Sequence, residues 1–339
     1  MMNHPLNLLH SPHSPVSFIE TALPEDTNTD SFLLEQAHQT ILQSYPKMHS
    51  MLLVRQGKLI FERYYGDYQA GSLNDLRSAT KSFVSLITGI AIKRGDIPCV
   101  ETPVCEVLHR HMLSQPSPQL EELTLRHLLT MTAGFSWITG KKLGEPLIRK
   151  FHNSRRWGTF ALSLPILPGS IGTFQYRSTD THLISMMLSE STGLDAFSYT
   201  RQHFFTPLGI THVTWNSSPE GHSMGHIGLF MTARDMAKTA ICLLSGGLWA
   251  GEEIVPQAWL QEALEPQTSG YPSFGDYGYQ FWNGTMSGQP FKLAHGHGGQ
   301  QILLLPSLDA AVIFTAETKV RQWKNPRRLV EQYLIPAMG

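Results

Sequence analysis

The sequence predicts an α+β protein in which one sheet is built from both ends of the chain, with a mainly helical segment inserted between them. Three observations predict this class: strand-like runs follow the first helix, a helical pattern fills the middle, and strand-like runs return in the last third. We therefore expect an extended N-terminal arm (1–30), a discontinuous sheet domain (31–97 and 205–339) and a mainly helical insertion domain (98–204).

The composition limits the classes of partner. The chain has 339 residues, with 26 basic and 27 acidic side chains and no block of one sign, so we expect neither nucleic acid nor an acidic membrane surface as a partner. Its 3 cysteines form no CxxC pair, which favours a reducing compartment. No secretory signal is evident, and no apolar run approaches the roughly 20 residues of a membrane helix. We expect a cytoplasmic protein that acts on a small molecule, with its oligomeric state open.

The 16 histidines raise the question of a metal site. They are scattered, no His-Glu-x-x-His pattern occurs, and the pairs His109/His111 and His295/His297 supply only two ligands each. A zinc site needs three or four convergent ligands. The sequence therefore predicts no metal site.

The N-terminal third begins the sheet. After the polar arm, apolar residues recur on one side of a helix predicted over 31–45. Two strand-like runs, 51–54 and 58–64, then flank Gln56-Gly57, which is typical of a β-hairpin.

The stretch 77–96 follows the hairpin and contains the first candidate catalytic residues. Its apolar residues recur at three- and four-residue spacing, which predicts an amphipathic helix closed by Gly95. Ser78 falls in the first turn, and Lys81 lies three residues later on the same face, where its amine can reach the hydroxyl. The two can act as nucleophile and base, and free N–H groups at a helix start favour a developing oxyanion.

Spacing alone is weak evidence for this role, because Ser78 also suits a simple N-cap. Ser44 and Lys47 have the same spacing, but Pro46 blocks a continuous helix between them. The helical context of Ser78 and the motifs that follow it favour the catalytic interpretation.

The middle of the chain shows helices separated by long loops. The segment 124–134 has a Thr cap, a short helix and a Gly stop, and the turn-rich loop 164–170 leads to Tyr176 and an apolar helix through 183–188. The remaining predicted elements are a helix over 232–245, strands at 277–282, 292–295, 301–305 and 311–314, and a closing helix over 326–334.

Three motifs occur in order: Ser78-x-x-Lys81 on a helix, Tyr176-x-Ser178 on a loop before a helix, and His295-Gly296-His297-Gly298-Gly299 on a late strand. This set resembles the serine β-lactamase and penicillin-binding-protein superfamily, nearest to the class C-like branch that holds DD-peptidases, family VIII esterases and nylon-oligomer hydrolases. The similarity spans roughly residues 35 to 335, with supporting segments at 124–134, 168–169 and 228–235. It implies a β-lactamase/DD-peptidase-like fold, an antiparallel sheet flanked by helices with an inserted helical domain.

The resemblance also implies a role for each motif residue. Ser78 would attack a carbonyl and become acylated, and Lys81, with a pKa lowered by burial, would take or relay the serine proton. Tyr176 matches the family tyrosine that, as a phenolate or through a shared proton, protonates the leaving group and activates water. The alternative for Tyr176 is a buried loop tyrosine with a locally satisfied hydroxyl. No metal or organic cofactor is implied.

The second and third motifs depart from the family pattern. Ser178 stands where class C enzymes carry Asn, which replaces a substrate-binding amide by a shorter hydroxyl and is more similar to the nylon-oligomer hydrolases. In place of Lys-Thr-Gly, His297-Gly298-Gly299 keeps a polar residue followed two later by Gly, and Ala294-His295-Gly296 is an alternative register. We prefer the His297 register, with Gly299 or Gln300 giving the second oxyanion N–H.

A second serine also matches a catalytic pattern. Gly221-His222-Ser223-Met224-Gly225 satisfies G-x-S-x-G, but a nucleophile elbow must follow a buried strand and open a helix. A polar loop precedes Ser223 instead, so we expect it to be non-catalytic.

We therefore predict a serine hydrolase that acts through an acyl-enzyme on a small amide or ester. Two alternatives stay open: a β-lactamase or DD-peptidase, for which the missing lysine weakens recognition of a β-lactam carboxylate, and a catalytically silent binding protein on the same scaffold. The substrate pocket is expected in the loops at about 136–160 and 265–290.

Overall fold

The computed structural model describes residues 18–140 and 143–339. Most of the predicted N-terminal arm, residues 1–17, lies outside the described residues. The remainder of the arm forms a parallel bridge between Thr21 and Leu59 and a short 3-10 turn, Pro24–Thr27.

The described residues form strands near both chain ends and helices between them. The strands are β1 (Met48–Arg55), β2 (Lys58–Tyr64), β3 (Asn74–Asp75), β4 (Thr214–Trp215), β5 (Leu229–Met231), β6 (Leu248–Trp249), β7 (Glu252–Glu253), β8 (Thr268–Tyr271), β9 (Gly275–Tyr277), β10 (Trp282–Met286), β11 (Gln289–Gly296), β12 (Gln300–Leu305) and β13 (Ala310–Ala316). The helices are α1 (Ser31–Ser44), α2 (Thr80–Arg94), α3 (Val104–Leu108), α4 (Pro118–Glu121), α5 (Leu125–Leu129), α6 (Ile148–Asn153), α7 (Trp157–Leu162), α8 (Ser178–Thr192), α9 (Ala196–Thr200), α10 (Ala233–Leu244), α11 (Gln257–Ala263), α12 (Arg327–Leu329) and α13 (Ile335–Met338).

The main sheet has eight antiparallel strands in the order β2-β1-β13-β12-β11-β10-β9-β8. The β1–β2 hairpin turns at Gln56 and Gly57, whose φ values of 51° and 72° are both left-handed, as a type I′ turn requires. Strand β13 then pairs with β1, so that the last strand completes the sheet begun by the first. The predicted α+β fold with an antiparallel sheet flanked by helices is confirmed.

The two faces of the sheet support two hydrophobic cores. Alternate side chains of β1 point to opposite faces: Met51 and Leu53 join one core, and Leu52 and Val54 join the other. The first core is closed by α1 and the C-terminal helices. The second contains α2, α8 and α10, and both α2 and α8 are buried along most of their length. These two core helices therefore hold Lys81 of the first motif and Ser178 of the second in rigid positions, and Ser78 and Tyr176 lie just before their first turns.

The predicted strand over 277–282 is wrong. Strand β9 ends at Tyr277 and β10 begins only at Trp282, and between them Gln280 adopts a left-handed φ of 64°. Its side-chain amide donates to the carbonyls of Leu128 and Leu129, at 3.0 and 2.8 Å, and its backbone carbonyl accepts from Ser82 at 2.7 Å. The chain leaves the sheet here because these bonds attach it to α2 and α5.

Helices α3 to α9 all fall inside the predicted insertion, and the eight strands of the main sheet lie outside it. The division into a sheet domain and an insertion domain stays a prediction. Among the described residues, no helix combines the length and hydropathy needed to cross a bilayer.

Candidate active site

Ser78 lies in a 3-10 turn, Arg77–Ala79, that runs directly into α2. The preceding residue, Arg77, has a left-handed φ of 49°, a strained conformation for a non-glycine residue. The carboxylate of Asp75 accepts from the Arg77 backbone N–H at 2.9 Å and holds this bend. The sequence predicted the serine at the first turn of the α-helix, whereas the structure presents it on a strained turn just before that helix.

Lys81 is fully buried on the first turn of α2 and contacts three oxygens. Its Nζ lies 3.2 Å from Ser78 Oγ, 3.3 Å from Ser178 Oγ and 3.1 Å from the backbone carbonyl of His226. Burial lowers the pKa of Lys81 to about 8, although the carboxylates of Glu145 and Asp180 act in the opposite direction. The structure thus brings Ser78, Lys81 and Ser178 together around an amine with appreciable neutral population near neutral pH.

Ser178 opens α8 and is held by Glu145, a loop residue that the sequence analysis did not single out. Glu145 Oε2 accepts from Ser178 Oγ at 2.6 Å, and its Oε1 accepts from the Ser178 N–H at 2.7 Å and from Trp137 Nε1 at 2.8 Å. Because the Ser178 hydroxyl donates to Glu145, its lone pairs are left for the Lys81 amine.

Tyr176 is buried beside the amine. The Nζ of Lys81 lies 4.9 Å from the centroid of the Tyr176 ring, which stacks on Trp282 at a centroid distance of 5.9 Å. Burial raises the pKa of the Tyr176 phenol and Glu145 raises it further, whereas a hydrogen bond with the Ser78 side chain lowers it. These shifts favour the neutral phenol over the phenolate, so the shared-proton version of its predicted role fits this environment better.

The third motif lies at the end of β11, which contains Ala294 to Gly296 and stops there. The predicted strand placement of His297, Gly298 and Gly299 is wrong, since these residues form the turn into β12. The His297 imidazole is exposed and contacts the carbonyl of Val320 at 2.8 Å through Nε2. A Cβ on Gly296 would lie 2.1 Å from the carbonyl oxygen of Leu76, so this glycine is required where the strand crosses the Ser78 turn.

Of the two predicted sources of a second oxyanion N–H, Gly299 is engaged within its own turn. The N–H of Gly299 donates to the carbonyl of Gly296 at 3.3 Å. The Gln300 side chain points into the core and pairs with the backbone of Ala316 through both its amide atoms. Within the described residues, the N–H groups of Ser78 and His297 have no hydrogen-bond acceptor.

A cavity of about 640 Å³ opens beside Ser78. Ser78, His295 and His297 line it together with the aromatic residues Phe274 and Trp323. Burial lowers the pKa of His295 to about 3, so its imidazole is neutral. The cavity therefore places the Ser78 hydroxyl beside an apolar wall and a neutral polar group.

Two guanidinium groups also line this cavity. Arg327 donates to the carbonyl of Ser273 at 3.0 Å, and Arg321 is exposed. Within residues 18–140 and 143–339, no carboxylate lies within ion-pair distance of either arginine. Glu331 acts on Arg327 only from beyond that distance. Two charges of one sign without a contacting carboxylate make the cavity attractive to an anion.

The hydroxyl of Ser223 takes part in hydrogen bonds that stabilise the start of α9. Its hydroxyl donates to Asp195 at 3.0 Å and accepts from the N–H of Phe197 at 2.9 Å, which reinforces the N-cap of α9. The side chain is buried, and it follows a polar turn bridged between Ser217 and Ser223. These contacts account for the serine without a catalytic role.

The sequence profile of the beta-lactamase family matches residues 44–332, which is most of the chain. The chain belongs to the beta-lactamase family. The predicted superfamily is therefore confirmed, and with it the assignment to a family of hydrolases.

Individual relatives of this beta-lactamase family member are distant. The 6-aminohexanoate-dimer hydrolase of Paenarthrobacter ureafaciens is 27% identical over 170 residues, which cover 47% of this chain and 41% of that protein. The match thus spans less than half of the relative's own length. A Bacillus anthracis protein described as a candidate 6-aminohexanoate-dimer hydrolase aligns with a TM-score of 0.74 and 17% identity, covering 95% of this chain and 88% of that one.

An octameric penicillin-binding protein homologue from Pyrococcus abyssi aligns with a TM-score of 0.71 and 16% identity, covering 90% of this chain and 76% of that chain. At such identities the structural likeness shows the fold.

Sequence reasoning on this beta-lactamase family member missed two groups at the site. Glu145 stands alone in a loop, and no spacing links it to Ser178, 33 residues later. His226 contributes its backbone carbonyl, for which the side-chain pattern carries no signal. The only available pointer was the expectation that the loop 136–160 approaches the substrate.

Proposed function

We propose that the protein is a serine hydrolase that cleaves a small amide or ester through an acyl-enzyme on Ser78. The observation that carries this proposal is the 3.2 Å contact between Ser78 Oγ and the fully buried amine of Lys81. A buried amine with a lowered pKa is a suitable general base near neutral pH.

In the acylation step, Ser78 Oγ bonds to the substrate carbonyl carbon while its proton passes to the neutral amine of Lys81. The bond to the leaving amine or alcohol then breaks, and the leaving group takes a proton delivered from Lys81 through the Tyr176 hydroxyl. The contact of Ser178 with both Lys81 and Glu145 supports this route, because it fixes the amine between Ser78 and the phenol.

The developing oxyanion would bind to the N–H groups of Ser78 and His297. Both groups lack an acceptor in the described residues, and both residues line the cavity. The close crossing of Gly296 and Leu76 supports this pairing, because it fixes the end of β11 against the serine turn. Removing one such donor in other enzymes costs about 10²-fold or more in kcat.

In the second half of the reaction, water attacks the acyl carbon and its proton passes to Tyr176 and Lys81. The bond to Ser78 Oγ breaks, and the hydroxyl recovers its proton from Lys81. The neutral phenol supports a role for Tyr176 as a proton relay between water and the amine, since its raised pKa opposes the phenolate.

The substrate we propose carries an anionic group on the side that occupies the cavity. Arg321 and Arg327 support this, because neither has a carboxylate within ion-pair distance among the described residues. Phe274 and Trp323 would contact an apolar linker between the anion and the scissile bond. The amide-linked 6-aminohexanoate dimer, named in the relative's description, has this character and belongs in the substrate panel.

A β-lactamase or DD-peptidase is the second candidate. The family fold favours it, whereas the neutral His295 at the end of β11 and the absence of a lysine there argue against it. A catalytically silent binding protein would have no reason to bury an amine against a serine hydroxyl.

The test combines active-site labelling with a substrate panel. A fluorophosphonate should label Ser78, as located by peptide mass spectrometry, and Ser78→Ala should abolish both labelling and hydrolysis, while Ser223→Ala retains both. The panel pairs p-nitrophenyl esters that end in a carboxylate with their neutral methyl esters, and adds the 6-aminohexanoate dimer and nitrocefin. We expect a lower KM for the carboxylates, by about tenfold for one added ion pair.

Three other results would contradict the proposal or favour an alternative function. Absence of labelling would leave only the binding protein, and labelling at Ser223 would overturn the assigned nucleophile. Nitrocefin turnover without ester or amide turnover would favour the β-lactamase alternative.

A further inference from the structure

A second cluster of chemically competent side chains lies away from the catalytic residues. One ligand atom each from His111, Glu190 and His222 falls within 4.8 Å of the other two. We propose that these three residues bind one divalent transition metal ion of the zinc type, with water completing the coordination.

The fold brings the three ligands from distant parts of the sequence. His111 ends the 3-10 turn His109–His111, Glu190 lies near the C-terminal end of α8, and His222 lies in the turn before Ser223. The Nε2 of His111 is already 2.9 Å from Glu190 Oε1, and the imidazoles of His111 and His222 meet edge to face with centroids 5.5 Å apart. Tetrahedral ligands at about 2.0–2.1 Å from zinc lie roughly 3.4 Å from each other, so a small side-chain rotation closes the site.

The chemistry of the three donors suits such an ion. Two imidazoles and one carboxylate form a donor set of intermediate softness, which favours zinc over the hard cations magnesium and calcium. The imidazole of His222 makes no hydrogen bond to a described residue, so both of its ring nitrogens are available to an ion. A nearby carboxylate, Glu220, would add to the negative potential at the site.

Solvent can reach the three side chains, and hydrogen bonds hold part of the site in place. The side chains of His111 and Glu190 are 18% and 26% exposed, which leaves room for water ligands. The hydroxyl of Thr159 donates to the backbone carbonyl of His111 at 2.9 Å and fixes the turn that carries this ligand. Three chain segments would then be joined through one ion.

This placement implies a structural role that is separate from catalysis. Glu190 lies twelve residues after Ser178 on α8, which at about 1.5 Å per residue is roughly 18 Å along the helix. An ion there would fix the C-terminal end of α8, whose first residue is Ser178, to the segments that carry His111 and His222. We therefore expect metal binding to raise thermal stability, because it adds a ligand that binds only the folded chain.

The experiment uses the full chain freed of metal with a chelator and then titrated with ZnCl₂. Calorimetry should give one ion per chain, and the melting temperature should rise with zinc concentration. His222→Gln and Glu190→Gln should each weaken binding by at least about tenfold and remove the zinc-dependent rise in melting temperature. His109→Gln is the matched control, since His109 lies on the same turn but its imidazole contacts the carbonyl of Glu106.

Cobalt(II) titration provides a readout of ligand type. The expected spectrum has visible d–d bands that disappear in His222→Gln, without the near-ultraviolet charge-transfer band that a thiolate gives. Unchanged zinc affinity in both ligand variants would overturn the proposal, as would a cobalt–thiolate band, because the ion would then bind elsewhere. Circular dichroism of the metal-free variants checks that they are folded. If His222→Gln does not fold, the test of the proposal uses Glu190→Gln alone.

Discussion

Ser78 and Ser223 each satisfy a published pattern for a catalytic serine, yet their surroundings differ in every respect that matters chemically. Ser78 lies on a strained turn, 3.2 Å from a buried amine and on the wall of a 640 Å³ cavity. Ser223 is buried, donates to the Asp195 carboxylate and accepts from a backbone N–H. The comparison shows that a short motif specifies neither the proton acceptor nor the open approach that a catalytic serine needs, since only Ser78 has both.

The largest effect should follow removal of the Lys81 amine, which contacts Ser78 and has no counterpart beside Ser223. Lys81→Met keeps the apolar stem and its burial but removes the proposed general base, so we expect kcat/KM to fall by about a thousandfold. Steady-state hydrolysis of the best substrate in the panel measures this loss. Fluorophosphonate labelling of Ser78 should slow in parallel, because the hydroxyl is no longer activated.

A second buried lysine controls for the cost of removing a buried charge. Lys238 is also buried, pairing with Asp235 at 3.2 Å and donating to the carbonyl of Gly209 at 2.9 Å. Lys238→Met should lower the melting temperature while kcat/KM stays within about twofold of wild type. If Lys81→Met retained more than a tenth of the activity, another group would have to be the base.

Much of the serine region could be predicted from the sequence because its signals are local. Helical periodicity after Ser78, the Gly95 stop and the three-residue spacing to Lys81 all act within one element, and the structure reproduces that helix. Its predicted amphipathic character is wrong, because residues 80–91 are all buried in the core. The hairpin at Gln56-Gly57 was predictable for the same reason, since both turn residues adopt the left-handed φ that the pattern implies.

The remaining features depend on contacts between segments that are far apart in sequence. Glu145 reaches Ser178 from a loop, and the loop at Gln280 departs from the sheet to bind α2 and α5. The pair His109/His111 offered only two ligands in the sequence, and the fold supplies the partners of His111 from α8 and a distant turn. Tertiary packing sets all three, so local pattern alone contains no signal for them.

A smaller effect is expected when the electrostatic surroundings of the amine are changed. Glu145→Gln keeps the shape of the side chain but removes a negative charge that raises the Lys81 pKa. In the proposed mechanism the neutral amine is the base, so wild-type kcat/KM should rise about tenfold per pH unit below pH 8 and level off above it. In the variant the rising part of the kcat/KM profile should move to lower pH. Its maximal kcat/KM should fall by about tenfold, because the Ser178 hydroxyl loses its carboxylate acceptor.

The pH shift separates an electrostatic effect from simple loss of structure. Glu252→Gln is the control, because Glu252 is exposed and its carboxylate forms no hydrogen bond or ion pair with a described residue. It changes the net charge equally and should leave the profile unchanged. A Glu145→Gln profile with a lower maximum but an unmoved rising part would show that the titrating group is not Lys81.

The smallest effect concerns the second serine. Ser223→Ala removes the hydroxyl that links Asp195 to the N–H of Phe197, so we expect a loss of about 1 kcal/mol in the free energy of unfolding. For a chain of this size that corresponds to a fall of about 2 °C in melting temperature, measurable by calorimetry, with kcat/KM unchanged. Ser217→Ala tests the same turn, since Ser217 is exposed and bridges to Ser223 through the backbone, and should alter neither quantity. A large loss of activity in Ser223→Ala at unchanged stability would reverse the comparison between the two serines, because only a catalytic hydroxyl behaves in that way.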